Sequence, residues 1–495
     1  EASYAEKDKT LFPRMYSQQP GHPEQYRSWM GFSKTHVPTF GENISFMFTY
    51  QMGHMYWRYF LWNFAGRMSD EQDASWLGPN NWFSLDATTS EFASKARNNF
   101  FLLPLLAGML GLSFQASRDW KNGTIVGMLF FFTGLAIILY LNQPPTEPRE
   151  RDYTFAASFY AFSIWIGLSV MFFTDIIEKY ILKNKTIAAT AASLLLLSIP
   201  TLMASEGWDD HDRSKRYYQV ESAKNLLNSC ALNAILFTGG DNDTYPLWYA
   251  QEVEGVRTDV RVCNLSLLNT DWYIKQMQNQ AYLSDSLPIG LTPEQYRQGT
   301  NDYIYLDAEA FEKNKNAVIN LPIFLDLVKK KDKMLTRIYE GSELILYPTQ
   351  NFTLPVDTAY VKSLGIVPNI LNVKIVPNIN FVVNGSGMDK RTYVILNILV
   401  NNNWKRPVYF SSTLSPSDYI GMQHYLQLEG MAYRLLPAEM PMVRDGWINT
   451  KIMQEKMMKI EFTNLDNPGI FYDENYQRFT MNTKSQYHTL AGQLM

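Results

Sequence analysis

The sequence predicts a polytopic α-helical membrane region joined to a soluble α/β domain. Four apolar runs without a charged residue follow one another, at residues 100–116, 124–141, 154–173 and 186–204. Each is close to the roughly 17–25 residues that cross a bilayer as a helix, so we expect about four transmembrane helices. Downstream, short apolar strands alternate with helical stretches, which is the pattern of an α/β domain.

Composition excludes some functional classes. The net charge of -4 argues against a general nucleic-acid-binding protein, which would carry a basic face. The aromatic content of 14%, with 12 Trp, suits a protein that touches membrane interfaces. The two cysteines, Cys230 and Cys263, indicate either two buried thiols or a single bridge, and not a disulfide framework.

The loops between the apolar runs predict their orientation. Arg118 and Lys121 lie in the first loop, and the third loop, residues 174–185, holds three lysines. The second loop, residues 142–153, carries two arginines and three acids. Because lysine and arginine concentrate in cytoplasmic loops, the first and third loops are expected in the cytoplasm, and the second loop and both long flanks outside it.

The first flank contains the aromatic segment "NISFMFTYQMGHMYWRYFLWNFAGR", which His54, Arg58 and Arg67 interrupt. It either crosses the membrane or lies in the headgroup zone as an amphipathic helix. Trp57 and Trp62 favour the headgroup zone.

Four regions follow from these patterns. We expect an external loop region with interfacial amphipathic helices at 1–98, four transmembrane helices at 99–204, a periplasmic α/β domain at 205–445, and a helical tail at 446–495 that continues beyond the fragment.

The α/β domain begins with a predicted βαβ unit. "NAILFTGG" is a short apolar strand, "DNDTYPLWYAQEVEGV" a turn and a helix with Pro246 in its first turn, and "DVRVCNLSLL" a second strand. Further on, Thr292, Pro293 and Gln295 predict a helix start with a capping box.

The stretch "NQPPTEPRERDYTF" places five charges between two apolar runs. Arg149 and Arg151 can bind a phosphate at the membrane edge by bidentate hydrogen bonds, with Glu147, Glu150 and Asp152 as supporting carboxylates. The alternative is a self-neutralising cluster of ion pairs that sets the ends of the helices.

A second acidic group lies in "GGDNDTYPLWY". The G-x-G-x-x-G pattern is missing, so nucleotide binding is not supported. The carboxylate oxygens of Asp241 and Asp243 can bind a divalent cation. The favoured alternative is that Asp243 or Thr244 caps the helix while Asp241 fixes the turn. No pair of histidines has the spacing of a zinc site, so no metal is assigned there.

Several long strings resemble one family of bacterial envelope membrane proteins, labelled a domain of unknown function and related to the animal protein O-mannosyltransferase. They are "PTFGENISFMFTYQMGHMYWRYFLWNFAGR", "FFFTGLAIILYLNQPPTEPRERDYTFAASFYAFSIWIGL", "ILFTGGDNDTYPLWYAQEVEGVRTDVRVCNLSLLNTDWYI" and "NNNWKRPVYF". The family is similar to GT-C glycosyltransferases, and this chain resembles its C-terminal half.

The resemblance implies transfer of a sugar from a polyprenyl-phosphate donor to a protein or other envelope acceptor on the periplasmic face. It implies an inner-membrane location, contact with membrane lipid, and a catalytic acid or base in a loop that this chain does not contain. The N-terminal half of the same protein, or an envelope complex, would then be a partner. The alternative is a non-catalytic membrane-anchored scaffold subunit of a cell-envelope complex.

Overall fold

The computed structural model describes residues 10–17, 19, 21–83, 94–147, 149–339, 341–369, 373–440 and 447–495. The chain divides into two compact units. The first comprises residues up to 214 together with 471–475, and the second comprises 215–470 and 476–495.

The first unit is helical in the part of the chain that the structure describes. Its two short strands, β1 (Gly66–Arg67) and β2 (Asn98–Asn99), pair antiparallel. Its α-helices are His22–Met30, Phe40–Phe46, Arg58–Phe64, Leu103–Arg118, Trp120–Thr133, Ile137–Leu141, Ala156–Ile177, Lys185–Leu196 and Ser198–His211. Two π-helical segments, Met47–Trp57 and Glu178–Leu182, and two 3-10 segments, Pro79–Asn81 and Asp152–Phe155, extend or connect them.

Three helices are long and apolar enough to cross a membrane: Trp120–Leu141, Asp152–Leu182 and Lys185–His211. Only 11%, 33% and 17% of their apolar windows are buried, respectively, so most of their residues can face lipid. The remaining predicted run, residues 100–116, forms the 16-residue helix Leu103–Arg118. This helix is about 24 Å long, whereas the hydrocarbon core of a bilayer is about 30 Å thick. Three of the four predicted spanning helices are therefore supported.

The short helix packs closely against Ala156–Ile177 through two glycines. A Cβ on Gly108 would lie 2.3 Å from the ring of Phe162, and one on Gly111 would lie 1.7 Å from the carbonyl oxygen of Trp165. Small residues allow such close approach of helix backbones in membranes, where packing replaces the hydrophobic driving force.

The aromatic segment of the first flank forms one uninterrupted helical stretch, Phe40–Phe46, Met47–Trp57 and Arg58–Phe64. Thr39 and Glu42 form a capping box at its start. Its buried face contributes several aromatic side chains to a core that also contains Phe155. This stretch is not among the three candidate spans, and its interfacial position stays a prediction.

A late segment of the chain completes the first unit. The backbone N–H of Glu474 donates to the Asp70 carboxylate at 2.9 Å, and the Glu474 carboxylate accepts from the backbone N–H of Gln72, also at 2.9 Å. Arg213 lies 3.6 Å from the carboxylate of Asp473. Residues 471–475 therefore belong to the helical unit by specific polar contacts.

The second unit is a mixed α/β structure. Its strands are β3 (Ile235–Thr238), β4 (Arg261–Asn264), β5 (Tyr303–Leu306), β6 (Ile319–Asn320), β7 (Thr336–Tyr339), β8 (Ser342–Tyr347), β9 (Asn351–Pro355), β10 (Asn378–Val382), β11 (Gly387–Asp389), β12 (Val408–Ser411), β13 (Leu426–Glu429), β14 (Ala432–Leu435) and β15 (Trp447–Ile448). Its α-helices are Tyr218–Ser229, Asp241–Glu252, Asp271–Met277, Pro293–Tyr296, Ala308–Lys313, Leu321–Lys329, Thr358–Leu364, Lys390–Asn402, Thr450–Met457 and Glu474–Leu494, the last from residue 476 onward.

The largest sheet that the structure describes has the strand order β15-β13-β14-β12-β3-β4. β3 lies between two parallel neighbours, with Ile235 opposite Val408 of β12 and Arg261 of β4. β14 pairs antiparallel with both β12 and β13. Two smaller sheets, β10-β9-β6 and β11-β5-β8-β7, complete the strand pairing of this unit.

The structure confirms the predicted βαβ unit as β3, the helix Asp241–Glu252 and β4. The predicted capping box at Thr292 and Gln295 is also present. The prediction that Pro246 lies in the first turn of the helix was wrong, because the helix begins at Asp241 and Pro246 lies inside it. Cys230 and Cys263 are both buried free thiols, and burial raises the pKa of each to about 12.

Candidate functional site

The charged stretch singled out in the sequence connects two candidate spans. The helix before it ends where Asn142 adopts a left-handed conformation with φ 45°. The helix after it begins with the 3-10 segment Asp152–Phe155, which continues into Ala156–Ile177. The ends of the two apolar helices thus hold residues 142–151 between them.

Glu150 is a largely buried member of the stretch, with its side chain 15% exposed, and its partner is the buried Arg58. The carboxylate accepts two hydrogen bonds from the Arg58 guanidinium, at 3.0 and 2.8 Å. It also accepts from the Tyr59 hydroxyl, and from the backbone N–H of Asp73 at 2.6 Å. The side chains of Arg58 and Glu150 are 7% and 15% exposed, so this is a largely desolvated ion pair.

The surroundings of Glu150 favour its charged form. Burial raises the pKa of Glu150, but the hydrogen bonds and positive charge of Arg58, with the hydroxyl of Tyr59, hold it below its usual value. Burial and the Glu150 charge raise the pKa of Tyr59, which keeps that hydroxyl a donor. Both effects keep the cluster in a single protonation state near neutral pH.

Arg149 and Arg151 meet at Tyr153 on the exposed side of the stretch. The Arg149 guanidinium carbon lies 5.9 Å from the Tyr153 ring centroid, and Arg151 donates to the Tyr153 hydroxyl at 2.8 Å. Arg151 also donates through Nε to Glu147 at 2.8 Å. Within the described residues, Arg149 has no carboxylate partner, and its side chain is exposed. We refer to Arg149 and Arg151 as the arginine pair.

Asp152 points in a different direction and lines a cleft of about 620 Å³. Arg67 lines the same cleft, and its guanidinium carbon lies 4.2 Å from the centroid of the Trp62 ring. Burial lowers the pKa of Arg67, and its Nε has no hydrogen-bond partner among the residues that the structure describes. We call this the span-end cleft, because Asp152 and His211 are end residues of two candidate spans.

Acidic residues also line the span-end cleft, Asp210 among them. Asp210 is 9% exposed, and its carboxylate accepts from the Asn98 side chain at 3.2 Å and contacts His211 Nδ1 at 2.8 Å. Phe100 and Met203 add apolar surface. The cleft falls in the range of about 300–1,000 Å³ that small-molecule sites occupy, and it offers both charges and apolar walls.

The five predicted site residues of this stretch therefore separate into three groups. Arg149, Arg151 and Glu147 form one group, in which Arg149 is exposed and the side chains of Arg151 and Glu147 are 29% and 17% exposed. Glu150 belongs to the cluster around Arg58, and Asp152 belongs to the span-end cleft. Glu147 supports Arg151 directly, whereas Glu150 contacts Arg58. The phosphate-binding role of the arginine pair stays a prediction.

Sequence reasoning missed three contributors: Arg58, Arg67 and Tyr153. A signal for the first two exists, since both interrupt an apolar aromatic segment, and a charge in such a segment needs a partner when the segment packs. Tyr153 follows the charge cluster directly, and nothing local indicates that it brings two arginines together.

The second predicted site lies in the other unit, at the end of β3. Asp243 accepts from the backbone N–H of Gly239 at 2.8 Å and from the hydroxyls of Ser411 at 3.0 Å and Thr413 at 2.6 Å. Burial raises the pKa of Asp243, and these hydrogen bonds oppose the shift. Asp241 is exposed at the first position of the helix.

The favoured alternative was wrong in its roles, because Gly240 holds the N-cap position without a side-chain cap hydrogen bond, so neither Asp243 nor Thr244 caps the helix. It is Asp243, and not Asp241, whose carboxylate holds the strand-to-helix turn. Among the described residues, no group of three or more His, Cys, Asp or Glu side chains is arranged to hold a metal ion. Asp243 ties the loop after β3 to the end of β12 through Ser411 and Thr413.

Two family models match the chain. One, described as TMEM260-associated domain 2, matches residues 219–452, just under half of the chain. The other, a family of unknown function (DUF8416), matches residues 1–48. No curated protein and no solved structure matches the chain. TMEM260 is an animal protein O-mannosyltransferase, so the first match is consistent with the predicted resemblance, and most of the α/β unit is similar to a domain associated with that protein.

Proposed function

We propose that this chain contributes to an integral membrane glycosyltransferase that moves a sugar from a polyprenyl-phosphate donor to a protein or other envelope acceptor. The observation that carries the proposal is the arginine pair, an exposed Arg149 and a partly buried Arg151, which meet at Tyr153 beside the start of a candidate span. Guanidinium groups bind phosphate oxygens through parallel hydrogen bonds, and a lipid phosphate lies at this depth. The match to TMEM260-associated domain 2 supports the same class of activity.

The residues divide the proposed task between them. The arginine pair holds the donor phosphate, with Glu147 orienting Arg151. The exposed apolar surfaces of the candidate spans accept the polyprenyl chain. The span-end cleft, with Arg67 and Asp152, surrounds the sugar. The resemblance implies a catalytic acid or base outside this chain, so no residue is assigned that role.

The charge count in the loops supports an inner-membrane location with the arginine pair outside the cytoplasm. Five basic residues in the loops at 118–121 and 179–185 oppose two at 142–153. If the three candidate spans all cross, residues 142–151 and the chain after His211 leave the membrane on one side, because two spans separate them. The α/β unit is then periplasmic.

The test measures donor binding and transfer separately. The full chain is reconstituted in lipid nanodiscs and exposed to a photoreactive polyprenyl phosphate to measure donor binding. Transfer of radiolabelled mannose from polyprenyl-phosphate mannose is measured in proteoliposomes that also contain the partner half, which the resemblance implies supplies the catalytic acid or base. We expect Arg149→Ala and Arg151→Ala each to lose most crosslinking and all transfer, while the variants still insert and fold. Arg118→Ala is the matched control, because Arg118 is an exposed arginine at another helix end.

Unchanged crosslinking in both arginine variants would refute the phosphate role. Specific donor binding without transfer, even with the partner half present, would favour the second candidate, a membrane-anchored scaffold subunit. Transfer of mannose alone, and not of other sugars, would define the donor.

A further inference from the structure

The α/β unit contains a crevice that neither the arginine pair nor the span-end cleft uses. β3 lies between β4 and β12, and both neighbours are parallel to it. The chain after β3 enters the helix Asp241–Glu252, which packs on one face of the sheet with Leu236 and Val262. The chain after β12 packs on the other face, where Leu414 joins Phe237. Ligands of open α/β sheets bind where neighbouring strand ends diverge in this way.

A cleft of about 380 Å³ opens beside the first turns of this helix. Tyr245 and Tyr249 line it one helical turn apart, and their side chains are 50% and 49% exposed. Tyr245 stacks on Trp248 with ring centroids 5.4 Å apart and an interplanar angle of 25°. The stacking holds the Tyr245 ring in place. The helix therefore presents two aromatic rings to solvent at a concave surface.

Hydrogen-bonding groups surround these rings. Gln219 and Asn242 line the cleft, and among the described residues neither side chain has a hydrogen-bond partner. Pro246 has no N–H, so the carbonyl of Asn242 lacks its usual donor four residues on. The carboxylate of Asp241 is exposed at the rim. Amide, carbonyl and carboxylate groups thus lie around the two tyrosine rings.

The charges of the cleft restrict what it binds. Its described lining contains no Lys, Arg or His, and it includes Asp241 with Asp243 in the adjoining pocket. A phosphate or carboxylate ligand would meet the Asp241 carboxylate and no cation, which disfavours it. A metal ion is disfavoured as well, because Asp243 already accepts three hydrogen bonds.

We propose that this cleft is a binding site for a neutral carbohydrate. A pyranose ring has an apolar C–H face that packs on an aromatic side chain, and hydroxyls that both donate and accept hydrogen bonds. Tyr245 and Tyr249 provide the stacking surface, and Asp241, Asn242 and Gln219 provide the acceptors and donors. The site is separate from the proposed donor site, so a result that refutes one proposal leaves the other unaffected.

The test is saturation-transfer NMR on the full chain in nanodiscs, which avoids the sugar headgroups of maltoside detergents. The probes are mannotriose, maltotriose and chitotriose. We expect signals from at least one trisaccharide, strongest for the C–H protons of one ring face. Tyr245→Ala and Tyr249→Ala should each weaken the affinity about tenfold, the loss of one aromatic contact.

Two controls separate the site from general effects. Tyr245→Phe keeps the ring and should bind as the parent does, and Tyr339→Ala removes another exposed tyrosine elsewhere in the unit. Circular dichroism and thermal unfolding confirm that each variant is folded. The proposal is overturned if no trisaccharide gives a signal, if binding persists in both alanine variants, or if a sugar phosphate or a peptide binds there more tightly than every neutral sugar.

Discussion

The buried ion pair between Arg58 and Glu150 gives the most direct test of the first unit. Replacing Glu150 with alanine leaves the Arg58 guanidinium 93% buried without its counter-charge, because its side chain is only 7% exposed. It also removes the acceptor for Tyr59 and for the backbone N–H of Asp73. Breaking a buried pair from one side costs about 3–5 kcal/mol. We expect Glu150→Ala to destabilise the unit by that amount.

The assay is thermal unfolding of the reconstituted chain followed by intrinsic fluorescence. For a unit of about this size, 1 kcal/mol shifts the Tm by about 2–4 °C, so a fall of about 6–20 °C is expected. The control is Asp175→Ala, which breaks the ion pair between Asp175 and Arg118. The Arg118 side chain is 67% exposed and the Asp175 side chain is 42% exposed. Exposed pairs contribute about 0–1 kcal/mol. A Glu150→Ala shift no larger than that of Asp175→Ala would refute the reasoning.

A double substitution separates the charge from the packing. Arg58→Met combined with Glu150→Leu leaves no unpaired charge, so it should cost less than Glu150→Ala alone. The pair should also respond to acid. Because the folded pKa of Glu150 lies below its ordinary value of 4.5, its stabilisation is complete above that pH and is lost as the pH falls through the folded pKa. The Tm difference between the parent and Glu150→Ala should shrink below about pH 4.5.

Three further predictions concern other parts of the molecule. Gly111→Leu should separate the two packed helices and lower the yield of folded protein, because a Cβ would lie 1.7 Å from the Trp165 carbonyl oxygen; a normal yield would show that the helices do not pack this closely. Cys230 and Cys263, with pKa values of about 12, should react with a thiol reagent at pH 8 only after unfolding, and fast labelling of the native chain would contradict their burial. Asp243→Ala should destabilise the α/β unit by about 1–3 kcal/mol in denaturant titration, since it strands a buried N–H, and an unchanged midpoint would argue against its anchoring role.

The apolar runs and the βαβ unit were predictable because their signals are local. Length and absence of charge define a spanning helix, and three of the four predicted runs lie in helices that meet this condition. A strand, a helix of the right length and a second strand define a parallel pair with few alternatives. Each of these depends on neighbouring residues alone.

The errors arose where backbone details override hydropathy. The run at 100–116 starts outside its helix, since Phe101 and Leu102 have φ values of 51° and 59°, and the helix begins at Leu103 with Pro104 in its first positions. Pro104 was a usable signal for the start of this helix, because proline is common at the first helical position. Pro246 was assigned to a helix start because proline favours that position, but the helix begins earlier, at Asp241 after the Gly240 N-cap, and Pro246 lies inside it.

The composition of the candidate site was only partly predictable. Glu150 and Arg58 are 92 residues apart, and nothing in either neighbourhood specifies the other. The charge cluster itself was visible in the sequence, but its division between the arginine pair, a carboxylate paired with Arg58 and a cleft depends on tertiary packing. Sequence patterns identify which residues carry chemistry here, and long-range contacts decide which of them act together.

The contacts of residues 471–475 with Asp70, Gln72 and Arg213 have a consequence for biosynthesis. The helical unit cannot make them until the 256 residues from 215 to 470 have been translated. At about 5–20 residues per second, that interval lasts roughly 13–50 s. The nascent membrane region must therefore persist for tens of seconds without its last segment, and a ribosome stall within that window would expose an unfinished unit to quality-control proteases.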